Sequence, residues 1–227
     1  MEIDKIIKSK RKTLTAQITN DARLIVRAPQ YMPDFLIKIA LRTHCAWIQK
    51  KQAIMREKAR NTKKKLFIDK EEFLYIGQKY KLKIITGARV ALRLDPKKQL
   101  FVLTTGLNYD SAQACAVFLK WYKKRAREVI SLSVQTYATR HNFSYKKIRI
   151  TSALSRWGSC SGKNNLNFTW RLVLSPQEVI DYVVLHELAH LKERNHSKNF
   201  WGLVEQMCPL YKTHKKWLKN NGYKLNL

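Results

Sequence analysis

His186, Glu187 and His190 form an HExxH sequence inside Val179 to Leu191, where Val179, Ile180, Val183, Val184, Leu185, Leu188, Ala189 and Leu191 cover most of a helical circumference. Such a helix is buried on nearly every side, so its polar residues need partners. Four positions at 100° each bring the two imidazoles about 40° apart on one face, one turn up, as two zinc ligands require. A third imidazole, His196, follows six residues after His190. Buried histidines are usually satisfied by hydrogen bonds. At this chain's own His and Glu frequencies, however, an HExxH arises by chance in about one chain in 160, and a third His at a set position multiplies that by about 0.03. The pattern therefore predicts a metal site. Three neutral imidazoles suit Zn²⁺ and leave a fourth tetrahedral position for water, which marks a catalytic and not a structural site. Zinc lowers the pKa of water towards roughly 7, and Glu187 is placed to take its proton as general base.

The elements that must hold these groups can be read from the pattern. Ser175-Pro176-Gln177-Glu178 reads as a capping box opening the helix. Before it, a strand at Lys147 to Ser152 and a hairpin from Trp157 to Leu174 around Gly162-Lys163-Asn164-Asn165 are expected; after it, an irregular link and a terminal helix. A long helical pattern runs through Ala112, Cys115, Leu119, Tyr122, Ala126, Val129, Ile130 and Tyr137. Further upstream, strands are expected at Thr13 to Ile18 and Arg23 to Arg27, joined by Asn20-Asp21, and at Phe73 to Ile76, Tyr80 to Ile85, Val90 to Leu94 and Leu100 to Leu103. Between these groups, Phe35, Ile39, Trp47, Ile48 and Ile54 predict one basic amphipathic helix from Pro33 to about Ala59. Lys63-Lys64-Lys65 then reads as a solvated loop. The order of elements implies an α+β fold: a β-rich N-terminal module over 1–107, followed through a connector at Gly106 to Asp110 by a zincin-like catalytic domain over 108–227.

Composition narrows the class. Of 227 residues 45% are hydrophobic, enough for a core. The chain has 45 Lys and Arg against 16 Asp and Glu, a net charge of +29. Cutting after Lys120 leaves 26 basic against 10 acidic residues before the cut and 19 against 6 after it, so the charge belongs to the body and not to a tail. A nucleic acid or another polyanion becomes a candidate partner. No window of about 18 residues is free of charge, which argues against a membrane span. The N-terminus lacks the apolar stretch of a signal peptide, and Cys45, Cys115, Cys160 and Cys208 lie apart without a CxxC pair, so a cytoplasmic protein with reduced thiols is expected.

Arg156-Trp157-Gly158-Ser159-Cys160-Ser161, the strand Leu166 to Leu172, the helix Val179 to Leu191, and Asn195-His196-Ser197 with Phe200-Trp201 resemble the bacterial YgjP-like zinc metallopeptidases. The likeness covers most of the chain. More distantly the sequence is similar to SprT-like proteases; both groups are zincins. The resemblance implies a backing helix, a small sheet whose edge strand can bind an extended chain, and an active-site helix ending in a turn that brings a third ligand to zinc. One departure concerns that turn. The His186 to His196 spacing equals that of metzincins, yet Glu193 stands where they have glycine, so Asn195 or Arg194 is expected to take the left-handed conformation. Glu205, on a later helix, is the alternative third ligand.

Around the site, Arg156, Ser159 and Asn167 are candidates for contacting substrate. Trp157, Trp170, Trp201 and Trp217 read as core residues, Cys160 as a buried thiol, and His44, His141 and His214 show no ligand spacing. The leading reading is a zinc hydrolase acting on polypeptides. Two others stay open: a zinc-dependent nucleoside triphosphate pyrophosphatase, and a basic nucleic-acid-binding protein with structural zinc.

Overall fold

The computed structural model describes residues 2–19, 21–61, 65–106 and 109–227. Asn20 of the expected turn, Lys63 and Lys64 of the basic run, and Leu107 and Asn108 of the expected connector lie outside the described residues. The chain divides into two compact units, Met1–Lys64 and Lys65–Leu227.

In the first unit, strands β1 (Lys5–Ser9), β2 (Thr15–Ile18) and β3 (Leu24–Pro29) form a sheet in the order β1-β3-β2. β3 is central, and its alternate residues Leu24, Val26 and Ala28 are fully buried. The expected hairpin is β2–β3, with Thr15 opposite Arg27. β1 joins it in parallel, Lys5 beside Ile25; its run Lys-Ile-Ile-Lys shows no alternation and gave no signal. The single helix expected from Pro33 is two, α1 (Asp34–Arg42) and α2 (Cys45–Asn61). At the break the Thr43 hydroxyl donates to the Ala40 carbonyl. The inward residues are Ile37, Leu41 and Ile48, whereas Phe35, Ile39, Trp47 and Ile54 are exposed. Two residues turn a helix by 200°, so burying Ile37 sends Phe35 and Ile39 outwards.

The second unit begins with β4 (Glu72–Tyr75), β5 (Gln78–Thr86), β6 (Ala91–Asp95) and β7 (Leu100–Thr105), close to where alternation placed them, in the order β4-β5-β7-β6. α3 (Ser111–Arg140) buries Ala114, Phe118, Tyr122, Ala126, Ile130, Val134 and Ala138. Each step of four residues overshoots a full turn by 40°, so this stripe winds about 240° around the helix. One helix thereby serves two layers. Phe118 stacks on Phe73 of β4 at 4.4 Å and lies 5.3 Å from Phe101 of β7, while Tyr122 stacks on Trp170 at 5.7 Å and donates to the Leu74 carbonyl at 2.6 Å. The boundary expected after residue 107 falls inside this unit, because α3 and the β4–β7 sheet share that aromatic core.

Beyond α3, β8 (Lys147–Thr151), β9 (Gly158–Cys160) and β10 (Asn165–Thr169) form a sheet in the order β8-β10-β9, with β9 on one edge. The strand expected to reach Leu172 stops at Thr169 and tightens into a 3₁₀ turn, Trp170–Leu174. Then come α4 (Gln177–Ala189), α5 (Lys198–Met207) and α6 (Tyr211–Asn221), completing an α+β fold. The capping box does not form. The Ser175 hydroxyl, fully buried, donates to the Leu172 carbonyl and closes the 3₁₀ turn, and α4 begins after Pro176 without a side-chain cap. No described helix is long and apolar enough to cross a membrane.

Candidate metal centre

α4 carries the first two histidines at its C-terminal end: His186 sits in its last turn and His190 is its cap. The chain turns back through Leu191 and Lys192, whose N–H groups bond to Leu188 and Ala189 carbonyls, and Ser197 caps α5, its hydroxyl accepting the Phe200 N–H. Among the described residues no position from 191 to 197 has a positive φ, so neither Asn195 nor Arg194 takes the left-handed conformation. Side-chain tethers shape the turn instead. His190 Nδ1 donates to the Glu193 carbonyl at 3.0 Å. Arg194 donates to the Ser161 carbonyl at 3.0 Å and to Asn164 Oδ1 at 2.6 Å, and its guanidinium lies 3.6 Å from Cys160 Sγ. With its position fixed by hydrogen bonds, the turn needs no glycine.

The result is convergence. One ring nitrogen from each of His186, His190 and His196 lies within 4.8 Å of the others, and the Nε2 atoms of His186 and His196 face each other at 3.1 Å. Phe200, fully buried, lies 4.5–4.9 Å from all three rings, and Trp201 stacks on His196 at 5.7 Å. This donor set fits Zn²⁺. Imidazole nitrogens about 2.0–2.1 Å from a tetrahedral ion lie a little over 3 Å apart, and the Nδ1–H···O bond of His190 leaves its Nε2 lone pair facing inwards. Burial, then the neighbouring His190 and His196, then Lys215 push His186 down to about 3, and burial lowers His196 too. Both shifts favour the neutral ring that a ligand must be.

Glu187, 100° round α4 from His186, packs against β9 at Gly158. It is 5% exposed, and burial raises its carboxyl to about 8 against the opposing effects of the Cys160 N–H bond and the Arg156 charge. Gly158 makes room for it: a Cβ there would lie 2.6 Å from both Cγ and Oε1 of Glu187. His186 and Glu187 open onto a cleft of about 380 Å³ walled by Trp157, Tyr182, Val183 and Leu218, with Arg156, Lys215 and Lys219 also lining it.

Of the candidate substrate contacts, Arg156 lines this cleft, while Ser159 and Asn167 line an adjoining cavity of about 200 Å³ that Arg156 shares. Asn167 Nδ2 donates to the Ser159 carbonyl and hydroxyl across the β9–β10 pair. Glu205 is not brought to the histidines; it pairs with Lys212 at 3.3 Å. Cys160, half-buried, meets Arg194 and stands outside the histidine cluster. Trp170 is core, whereas Trp157 walls the cleft and Trp201 backs His196. Three contributors gave no sequence signal of their role: Gly158 as a cradle, Arg194 as a tether and Lys215 at the cleft. Gly158 stood out only as one of seven glycines in 227 residues and as part of the Arg156 to Ser161 run that carries the resemblance.

Among curated proteins there is no match. Among solved structures, the crystal structure of the metallopeptidase zymogen of Pyrococcus abyssi abylysin is similar over 44% of this chain and 92% of that one, at 20% identity and a TM-score of 0.32, a likeness too slight to carry a conclusion. The model of the YgjP-like metallopeptidase domain family matches residues 12–221, spanning the first unit's β2 through the histidine cluster to the end of α6. By that match the chain belongs to the YgjP-like metallopeptidase domain family.

Proposed function

We propose that this protein is a zinc-dependent peptidase in which His186, His190 and His196 hold the metal and Glu187 is the general base. The observation that carries this reading is the convergence of three imidazole nitrogens within 4.8 Å beside a buried carboxyl at the floor of a cleft. Zinc held there supplies Lewis acidity towards a peptide carbonyl and towards water. The chain's own residues do the rest. Glu187 receives a proton from the attacking water and passes it to the departing amine nitrogen, so that an O–H and the C–N bond break while a C–O and an N–H bond form. Gly158 and the Cys160 N–H keep that carboxyl in place, and Trp157, Tyr182 and Leu218 enclose the cleft in which the bond is held.

Elemental analysis and a peptide cleavage assay on variants test the assignment. The purified protein should carry one zinc per chain. Glu187→Gln should keep the zinc and lose turnover by about a hundredfold or more. His196→Ala should lose zinc, and Glu205→Ala, whose carboxylate is spoken for by Lys212, should retain it. Unchanged turnover in zinc-loaded Glu187→Gln, or zinc retained by His196→Ala and lost by Glu205→Ala, would refute these roles.

A further inference from the structure

Cations gather where the chemistry is. In a chain of net charge +29 some Lys or Arg lines almost any hollow, so distribution decides what a lining means. The cavity between α3 and α4, about 260 Å³, contains no cation and one carboxylate, Asp181, which accepts hydrogen bonds from Ser133, Tyr137 and Gln177. The cavity along β9 and β10 contains Arg156 alone. The cleft over His186 and Glu187 contains Arg156, Lys215 and Lys219, and no carboxylate besides Glu187.

One of these cations is held ready. Lys215 Nζ stands 4.1 Å from the ring centre of Trp201, which stacks on His196 and Tyr211 and also meets His186 and Phe200, so the ammonium is held beside the histidine cluster. One turn earlier on α6, Lys212 is neutralised by Glu205. Among the described residues no ion pair engages Lys215 or Arg156. Arg156 lies at the entry to the edge strand β9 and lines both the cleft and the cavity beside that strand. In the same cleft Trp157, Val183 and Leu218 offer apolar wall.

From this arrangement we infer an anion subsite: Arg156 and Lys215 receive a carboxylate of the polypeptide substrate close to the bond that is cleaved, with the apolar wall taking the methylene groups that carry it. The inference rests on the peptidase reading for its substrate, and on cleft geometry alone for its charge. A carboxylate reaches this place from an acidic side chain or from the chain's own C terminus. In either case charge-assisted contacts with two cations raise affinity for the charged form over its neutral isostere.

The test uses full-length zinc-loaded protein and peptides that differ only in Glu, Gln or Lys beside the cleaved bond, each with a free and with an amidated C terminus. Cleavage is followed in the wild type, and affinity by fluorescence anisotropy in Glu187→Gln. The Glu peptide should bind about five- to tenfold more tightly than the Gln peptide and the Lys peptide more weakly than either, with the advantage shrinking in about 0.5 M salt. Lys215→Glu should reverse the Glu and Lys order, and Arg156→Gln should flatten it; both positions are exposed, so folding is not at stake. A preference for the free C terminus with indifference to Glu assigns the terminal carboxylate and supports the subsite equally. Equal affinity across all peptides, no binding of any, or a preference that neither variant moves overturns it. Selective binding of acidic peptides with none cleaved leaves the subsite standing and removes the peptidase reading.

Discussion

Arg194 and Asn164, thirty residues apart, meet at 2.6 Å: the guanidinium donates from Nη2 to the Asn164 side-chain oxygen and from Nη1 to the Ser161 carbonyl. The chain between the second and third histidines is thereby pinned to the tip of the β9–β10 hairpin. The β9 strand of the same hairpin holds Glu187, through the space at Gly158 and the N–H of Cys160. One short hairpin therefore sets both Glu187, the proposed general base, and the approach of His196.

If the tether positions His196, Arg194→Ala should weaken zinc binding by about tenfold, the low end of what supporting residues around a metal site contribute. The measurement is a competition titration against a chelator, with the melting temperature of the metal-free protein as control. Arg194 is exposed, so that temperature should barely move. Arg194→Lys, which keeps charge but not the forked geometry, should recover only part of the affinity. Unaltered zinc affinity in Arg194→Ala would assign the turn's shape to the backbone alone.

Gly158→Ala tests the other half of the hairpin. A methyl group 2.6 Å from the Glu187 carboxyl has to displace either that side chain or β9. Overpacking of this kind costs about 1–3 kcal/mol of stability, and a displaced base lowers turnover by about a hundredfold while zinc content stays at one per chain. Denaturant unfolding, zinc analysis and peptide cleavage on the same preparation separate these effects. Full activity with unchanged stability would mean that the hairpin yields freely and does not hold Glu187.

The three histidines were legible because their signal is local: the four-residue step between His186 and His190 places both rings on one face whatever the surroundings. What surrounds them was not. Phe200 under the rings, the tether from Arg194 and the cradle at Gly158 depend on elements meeting in space, and no spacing rule reports that. Ser175 illustrates the same limit from the other side. Its hydroxyl has two acceptable uses within a few residues, and burial of the 3₁₀ turn selects the Leu172 carbonyl over the helix start. On α1, apolar residues occur on both sides of the helix, and only β3 decides that Ile37 and Leu41 face inwards while Phe35 and Ile39 do not.

The remaining feature is charge, which zinc chemistry does not require at this level. Residues 1–64 hold 16 Lys and Arg against 5 Asp and Glu, and residues 65–227 hold 29 against 11, so both units are strongly basic. On α3 the exposed residues Lys120, Lys123, Lys124 and Arg127 recur at intervals of three and four, one continuous basic face. The neighbouring Arg125, by contrast, is engaged by Glu128 at 2.7 Å. A face of this kind neutralises backbone phosphates without reading sequence. Affinity for duplex DNA should therefore fall steeply with salt, each neutralised phosphate adding about −0.9 to the log–log slope, and should vary little with base sequence. Replacing the four α3 cations by Gln should make that slope shallower by up to about 3.6 while leaving zinc content and peptide cleavage intact. Fluorescence anisotropy across a salt series on both proteins gives the two slopes directly. Identical slopes would remove α3 from the polyanion surface, and binding that is absent or indifferent to salt would leave the charge to the anion subsite and to solubility.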